Sequence, residues 1–203
     1  MKTLSRTTWA AACALGFGLG FPVFLLFTEI IVGHRTRASG FVAHVIGLAV
    51  FGAVVATCQA VALRGLLPSL IRWVIAGAAG FALVNAVITP LYWSGVWPSP
   101  LPIEPIVITL CAGAFAAALQ WLAVRRVAGS ASRWLVLWVA GMAVGIFAGA
   151  LVMMLVDSIK VSIPFGPDMG IFGLIVGAVA GAISGGAIFS MLSGRTDAGE
   201  SVA

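Results

Sequence analysis

Residues 134–156 read WLVLWVAGMAVGIFAGALVMMLV, an unbroken run without a single charge. About 20 apolar residues suffice to cross a ~30 Å hydrocarbon core as a helix. Moving outward from this run, further uncharged stretches occupy 7–28, 38–63, 73–103, 105–124 and 169–194. The stretch from 73 is too long for one helix, and Pro90, Pro98, Pro100 and Pro102 mark where it stops. The third helix is therefore expected over about 73–92, with loop beyond it. Six spans follow.

Composition agrees. Apolar residues make up 62% of the chain and charged residues 8%, with a mean hydropathy of +1.16. A soluble domain carries about a quarter charged residues, so lipid must replace water around most of this exterior. The net charge of +5 comes from basic residues scattered in ones and twos between the spans. That distribution orients a membrane protein and argues against a nucleic-acid partner. Cys13, Cys58 and Cys111 lie within apolar runs, with neither disulfide-framework nor CxxC spacing, and read as small packing residues. No cofactor is expected.

One set of connections carries Lys2, Arg6, Arg64, Arg72, Arg125, Arg126, Arg133 and Arg195; the other carries Arg35, Arg37 and Lys160. Cytoplasmic loops are the Lys/Arg-rich ones, which places both termini in the cytoplasm. Glu29, Glu104, Asp157 and Asp168 then fall on the outer side. Lys2 and Arg6 ahead of an apolar run have the general form of a signal peptide. The run is longer than a typical signal core and carries the repeat described next, so it is expected to be retained.

Trp9, Trp73 and Trp134 are each followed seven residues later by a glycine: Gly16, Gly80 and Gly141. Each tryptophan sits one to three residues after an arginine (Arg6, Arg72, Arg133). Gln59 lies five residues before Arg64, and Gln120 five before Arg125; the offset of 61 also relates Trp73 to Trp134. Either Ser184 or Ser190 stands in for the glutamine in the third copy. The alternative is that Trp and Arg near helix ends are generic interface anchors. The repeat predicts an all-α membrane protein with three pseudo-repeated helical hairpins, about 7–64, 70–126 and 133–194. Together these form one six-helix transmembrane domain over 1–194, followed by a short polar tail, 195–203, expected to be disordered.

The succession of small residues, Gln59, Leu63, Arg64 and Trp73, and again Gln120, Arg125, Arg126 and Trp134, resembles a group of uncharacterised bacterial multipass membrane proteins. The resemblance covers two of the three hairpins. It implies a bacterial cytoplasmic membrane and this architecture, and no particular activity.

Glycines at a spacing of four in helix 6 (Gly173, Gly177, Gly181, Gly185) share one helix face, as do Gly16 with Gly20, and Gly141 with Gly145 and Gly149. Such faces let helices approach closely within the bundle, or dock a helix of another subunit or a second copy of the chain. Gln59 and Gln120 near the inner boundary, Asn85 deeper, and Ser184 in helix 6 read first as interhelical hydrogen-bonding groups and second as groups along a solute path. On the outer side, Glu29, His34, His44, Glu104, Asp157 and Asp168 are candidate binding residues. The two histidines lack metal-ligand spacing, and solvated loop charge is the simpler reading. Trp93 and Trp97 read as interface anchors.

Residues 181–186, GAISGG, superficially resemble the Gly-x-Ser-Gly segment of rhomboid intramembrane proteases. Those require a histidine on a later helix, and none follows here, so Ser184 lacks a base and catalysis is not expected. The expected function is a non-catalytic helical scaffold or accessory subunit packing against other membrane proteins. The alternative is a small-solute transporter or channel using a central pseudosymmetric seam.

Overall fold

A computed structural model of the chain describes residues 5–32, 37–93, 104–125, 131–158 and 165–193. They form six α-helices: α1 (Arg6–Val32), α2 (Arg37–Ala62), α3 (Leu70–Trp93), α4 (Glu104–Val124), α5 (Ser132–Ser158) and α6 (Phe165–Ser193). Each is long and apolar enough to span a membrane. Even the shortest, α4 with 21 residues, extends ~30 Å at 1.5 Å per residue. The chain is a multipass membrane protein. Among the described residues there is no strand.

Local chemistry sets the helix ends. Ser5 precedes α1, its hydroxyl accepting from the Thr8 amide at 3.2 Å. Ser69 precedes α3 and accepts from the Arg72 amide at 3.3 Å, each satisfying one of the orphan donors of a first turn. Between α2 and α3 the chain reverses through Gly65, whose φ of +91° lies where only glycine is unstrained. The third helix, expected over about 73–92, spans Leu70–Trp93 and holds Pro90 inside it. Pro22 likewise lies inside α1. A proline's cost is a lost backbone bond and a clash with the preceding turn, and transmembrane helices tolerate both where neighbouring groups compensate.

Each helix packs on its sequence neighbours, and α6 returns to α1, closing a ring. The junction of α4 with α5 is the slightest. A β-carbon placed on Gly16 would meet Val55 Cα at 2.9 Å, and one on Gly141 would meet Ala180 Cα at 2.9 Å. Gly80 lies still closer to Ala116. Along α6, Gly173, Gly177 and Gly181 face the backbone of α1 at Phe17, Cys13 and Ala10, while Gly185 faces the Trp9 ring.

Residues buried at a spacing of four mark the inward stripe of each helix. On the odd helices these are Trp9, Cys13 and Phe17; Trp73, Phe81 and Asn85; and Trp134, Trp138, Met142 and Ile146. On the even helices they are Val55 and Gln59, with Leu63 just past the end of α2; Ala112, Ala116, Gln120 and Val124; and Val176, Ala180, Ser184 and Ile188. Large apolar side chains such as Ile71, Val87, Val136, Phe147 and Met154 face outward. This inversion suits a lipid surround, in which apolar exteriors carry no penalty and small residues concentrate between helices.

Candidate functional site

One layer of the interior takes a residue from every helix: Trp9, Gln59, Trp73, Gln120, Trp134 and Ser184, all buried. Helix geometry explains this convergence. The tryptophans lie within the first turns of α1, α3 and α5, and the Gln and Ser residues lie toward the ends of α2, α4 and α6. Antiparallel neighbours bring starts and ends to the same level. Two turns separate each tryptophan from Gly16, Gly80 or Gly141, so both members of a pair share a helix face. Where the glycine faces a neighbouring helix, the tryptophan faces inward as well.

Two sets of hydrogen bonds cross this layer. Trp9 Nε1 donates to Ser184 Oγ at 3.1 Å, and the Ser184 hydroxyl donates to the Ala180 carbonyl at 2.7 Å. Gln120 Nε2 donates to Gln59 Oε1 at 3.1 Å, linking α4 to α2. Gln59 Nε2 in turn reaches Cys13 Sγ at 3.7 Å, a weak acceptor. A β-carbon on Gly77 would stand 3.2 Å from Gln120 Nε2 and 2.5 Å from Ala56 Cβ, so glycine makes room for the amide pair.

The aromatic rings are linked in series. Trp73 and Trp134 have centroids 6.0 Å apart, Trp134 and Trp138 6.4 Å, and Trp138 and Trp9 6.3 Å. Phe17 continues the cluster from Trp138 at 6.3 Å and meets Phe51 edge-on at 5.5 Å. The indole N–H groups of Trp73 and Trp134 are buried and have no hydrogen-bond partner. Each such orphan donor costs about 1–3 kcal/mol, so this pair is the least satisfied part of the core.

The other sequence candidates lie elsewhere. Asn85 is buried three turns along α3 from Trp73 and donates from Nδ2 to the Phe81 carbonyl at 2.8 Å. It does not join the Gln59–Gln120 pair. Ser190 is exposed and bonds the Ala187 carbonyl at 2.9 Å. His44 is half-buried, its ring edge-on to Phe24 at 5.3 Å. Asp168 stands in the first turn of α6, with Oδ1 buried and unpartnered. His34, Trp97, the tail 195–203, and the side chains of Glu29, Trp93, Glu104 and Asp157 lie outside the described residues. Among the described residues, no three His, Cys, Asp or Glu side chains group as a metal site requires.

Sequence reasoning weighed the helix-start tryptophans as interface anchors and missed Trp138 altogether. The structure buries Trp9, Trp73, Trp134 and Trp138. The signal available for the first three was their fixed register to a glycine; for Trp138 it was its place one turn beyond Trp134. The chain matches no family model, no curated protein and no solved structure.

Proposed function

We propose that the chain is a non-catalytic scaffold or accessory subunit of a bacterial cytoplasmic membrane, with both termini cytoplasmic and lipid or partner helices around its outer surface. The observation that carries this reading is the division of labour between faces. The glycines of α1, α5 and α6 stand against helices of the same chain, so the bundle closes on itself without a partner. What remains outward is apolar, including the stripe Val136, Val144, Phe147, Leu151 and Met154 on α5. The α4–α5 junction is the slightest of the ring.

Three equivalent hairpins are part of the proposal. Gly16, Gly80 and Gly141 meet Val55, Ala116 and Ala180, and the residue one turn beyond each contact is Gln59, Gln120 or Ser184. This register favours Ser184 over Ser190 as the third polar position. The likeness to bacterial multipass proteins with a repeated Gln–Arg–Trp pattern belongs to the same reading. The non-catalytic assignment is supported by the surroundings of Ser184, whose proton is directed at a backbone carbonyl and whose other contact is an indole donor. Neither group accepts a proton as a general base must.

Affinity purification in mild detergent from native membranes tests the reading. A stoichiometric membrane partner, lost on replacing Phe147 and Met154 by charged residues, supports it; a solitary particle sinks it. Reporter fusions after residue 97 and at the C-terminus test the orientation, with opposite sides expected. A second reading, a small-solute transporter or channel through the central seam, is favoured by the unpartnered Trp73 and Trp134 donors.

A further inference from the structure

We propose that the unpartnered indole donors of Trp73 and Trp134 bind a small monovalent anion within the layer of tryptophans and glutamines. This site stands independently of the scaffold reading.

The chemistry starts from an imbalance of donors. Indole nitrogen donates and never accepts, so a group that satisfies Trp73 and Trp134 must be an acceptor. Cations and donor-only solutes are thereby excluded. Both side chains are almost wholly buried, at 0% and 1% exposure, and both Nε1 atoms lack a partner. Their rings are neighbours, with centroids 6.0 Å apart and planes inclined by 38°. A third donor in the same layer is poorly used, since Gln59 Nε2 meets only the Cys13 sulfur at 3.7 Å. By contrast, the first tryptophan of the series is matched, Trp9 to Ser184. The surplus therefore falls on Gln59, Trp73 and Trp134, not on Trp9.

Charge narrows the class. The layer itself consists of Trp, Gln and Ser and carries no formal charge. Desolvating a divalent anion there would cost far more than N–H dipoles return, whereas a monovalent ion, with half the charge, is much less demanding to strip of water. Just beyond the layer lie Arg64, Arg72, Arg125 and Arg133, all exposed. Arg72 precedes Trp73 and Arg133 precedes Trp134 in sequence, so a ring of positive charge sits at the same end of the bundle. Such a field raises the local concentration of anions without neutralising the site. A lipid headgroup is a poor occupant, because neither indole reaches the outer surface.

The test uses the full chain in detergent, with 15N-labelled indole nitrogens, exchanged into sodium gluconate and titrated with sodium chloride, then bromide and nitrate. Two of the seven indole signals are expected to move together and saturate, while the others stay or drift linearly. Trp73→Phe removes one of the pair and abolishes the saturable response of the other; Trp134→Phe does the reverse. Should either variant fail to fold, the wild-type titration alone decides. Two buried indole signals that ignore all three anions, or seven that drift alike, overturn the proposal.

Discussion

Replacing Gly177 by alanine should loosen the contact that closes the ring. The added carbon would stand 2.6 Å from Cys13 C and 2.8 Å from Ala14 Cα, and nearer still to the Cys13 carbonyl oxygen. These are backbone atoms of α1, so no rotamer change relieves the clash. The two helices must part by about 1 Å to restore ordinary contact, which forfeits roughly a quarter to a half of the dispersion between facing atoms. Overpacking of this kind costs about 1–3 kcal/mol, offset by up to ~1 kcal/mol of helix propensity gained over glycine. A net loss of about 1–2 kcal/mol is expected. Gly185, two turns along the same ladder, is the internal control. There the nearest neighbour is Trp9 Cδ1 at 3.3 Å and the next atoms stand at 3.7 Å, so alanine fits with a small shift of one ring. Gly185→Ala should change stability by no more than ~0.5 kcal/mol. Thermal denaturation in detergent, followed by the loss of monodisperse protein, reads both. At 150–250 residues a kilocalorie shifts the midpoint by about 2–4 °C, so Gly177→Ala should lower it by roughly 2–8 °C. Equal tolerance at both positions, or greater damage at 185, would refute the register of α6 on α1.

Three further outcomes follow from the same contacts. Gln59→Leu and Gln120→Leu should each cost about 1–3 kcal/mol by stranding the other amide, and the double variant should cost less than their sum; unfolding in a denaturing detergent gives the cycle. Ser184→Ala removes the acceptor of the Trp9 indole and should destabilise by about 1–3 kcal/mol, while Ser190→Ala on the exposed side should sit within ~0.5 kcal/mol of wild type in the same assay. Gly65→Ala should cost about 1 kcal/mol although a β-carbon there meets nothing within 4 Å, because the penalty lies in the φ of +91°; Gly65→Asn should recover much of it.

The six helices were legible in the sequence because charges are excluded from a hydrocarbon core and therefore punctuate the spans. The helix bounds differ from the uncharged stretches by only a few residues at most ends, as with 73–92 against Leu70–Trp93. What the charges do not encode is which face of each helix turns inward. In a soluble helix an apolar stripe marks the core, but here α5 is apolar on every side, and Val136 points out while Trp138 points in. Only residues whose size or polarity restricts their neighbours carry that information. Gly141 against Ala180 is one case, and the amide of Gln120 is another. Asn85 shows the limit of the rule: its polarity places it inside, yet it bonds its own helix rather than the glutamine pair, and nothing in its spacing distinguishes the two outcomes.

The pairing of tryptophan with a polar residue raises a question of specificity. In lipid, apolar burial does not draw helices together, so a bundle needs other terms to choose one arrangement. The glycine contacts supply close approach, but a glycine ladder can slide by one turn with little penalty, because each step of four meets another glycine. A directional bond cannot slide. Trp9 to Ser184 fixes α1 against α6, and Gln120 to Gln59 fixes α4 against α2 across the interior. The two devices are complementary, the small residues setting distance and the polar layer setting register. On that argument the Trp73 and Trp134 donors are the exception, since they lock nothing within the chain.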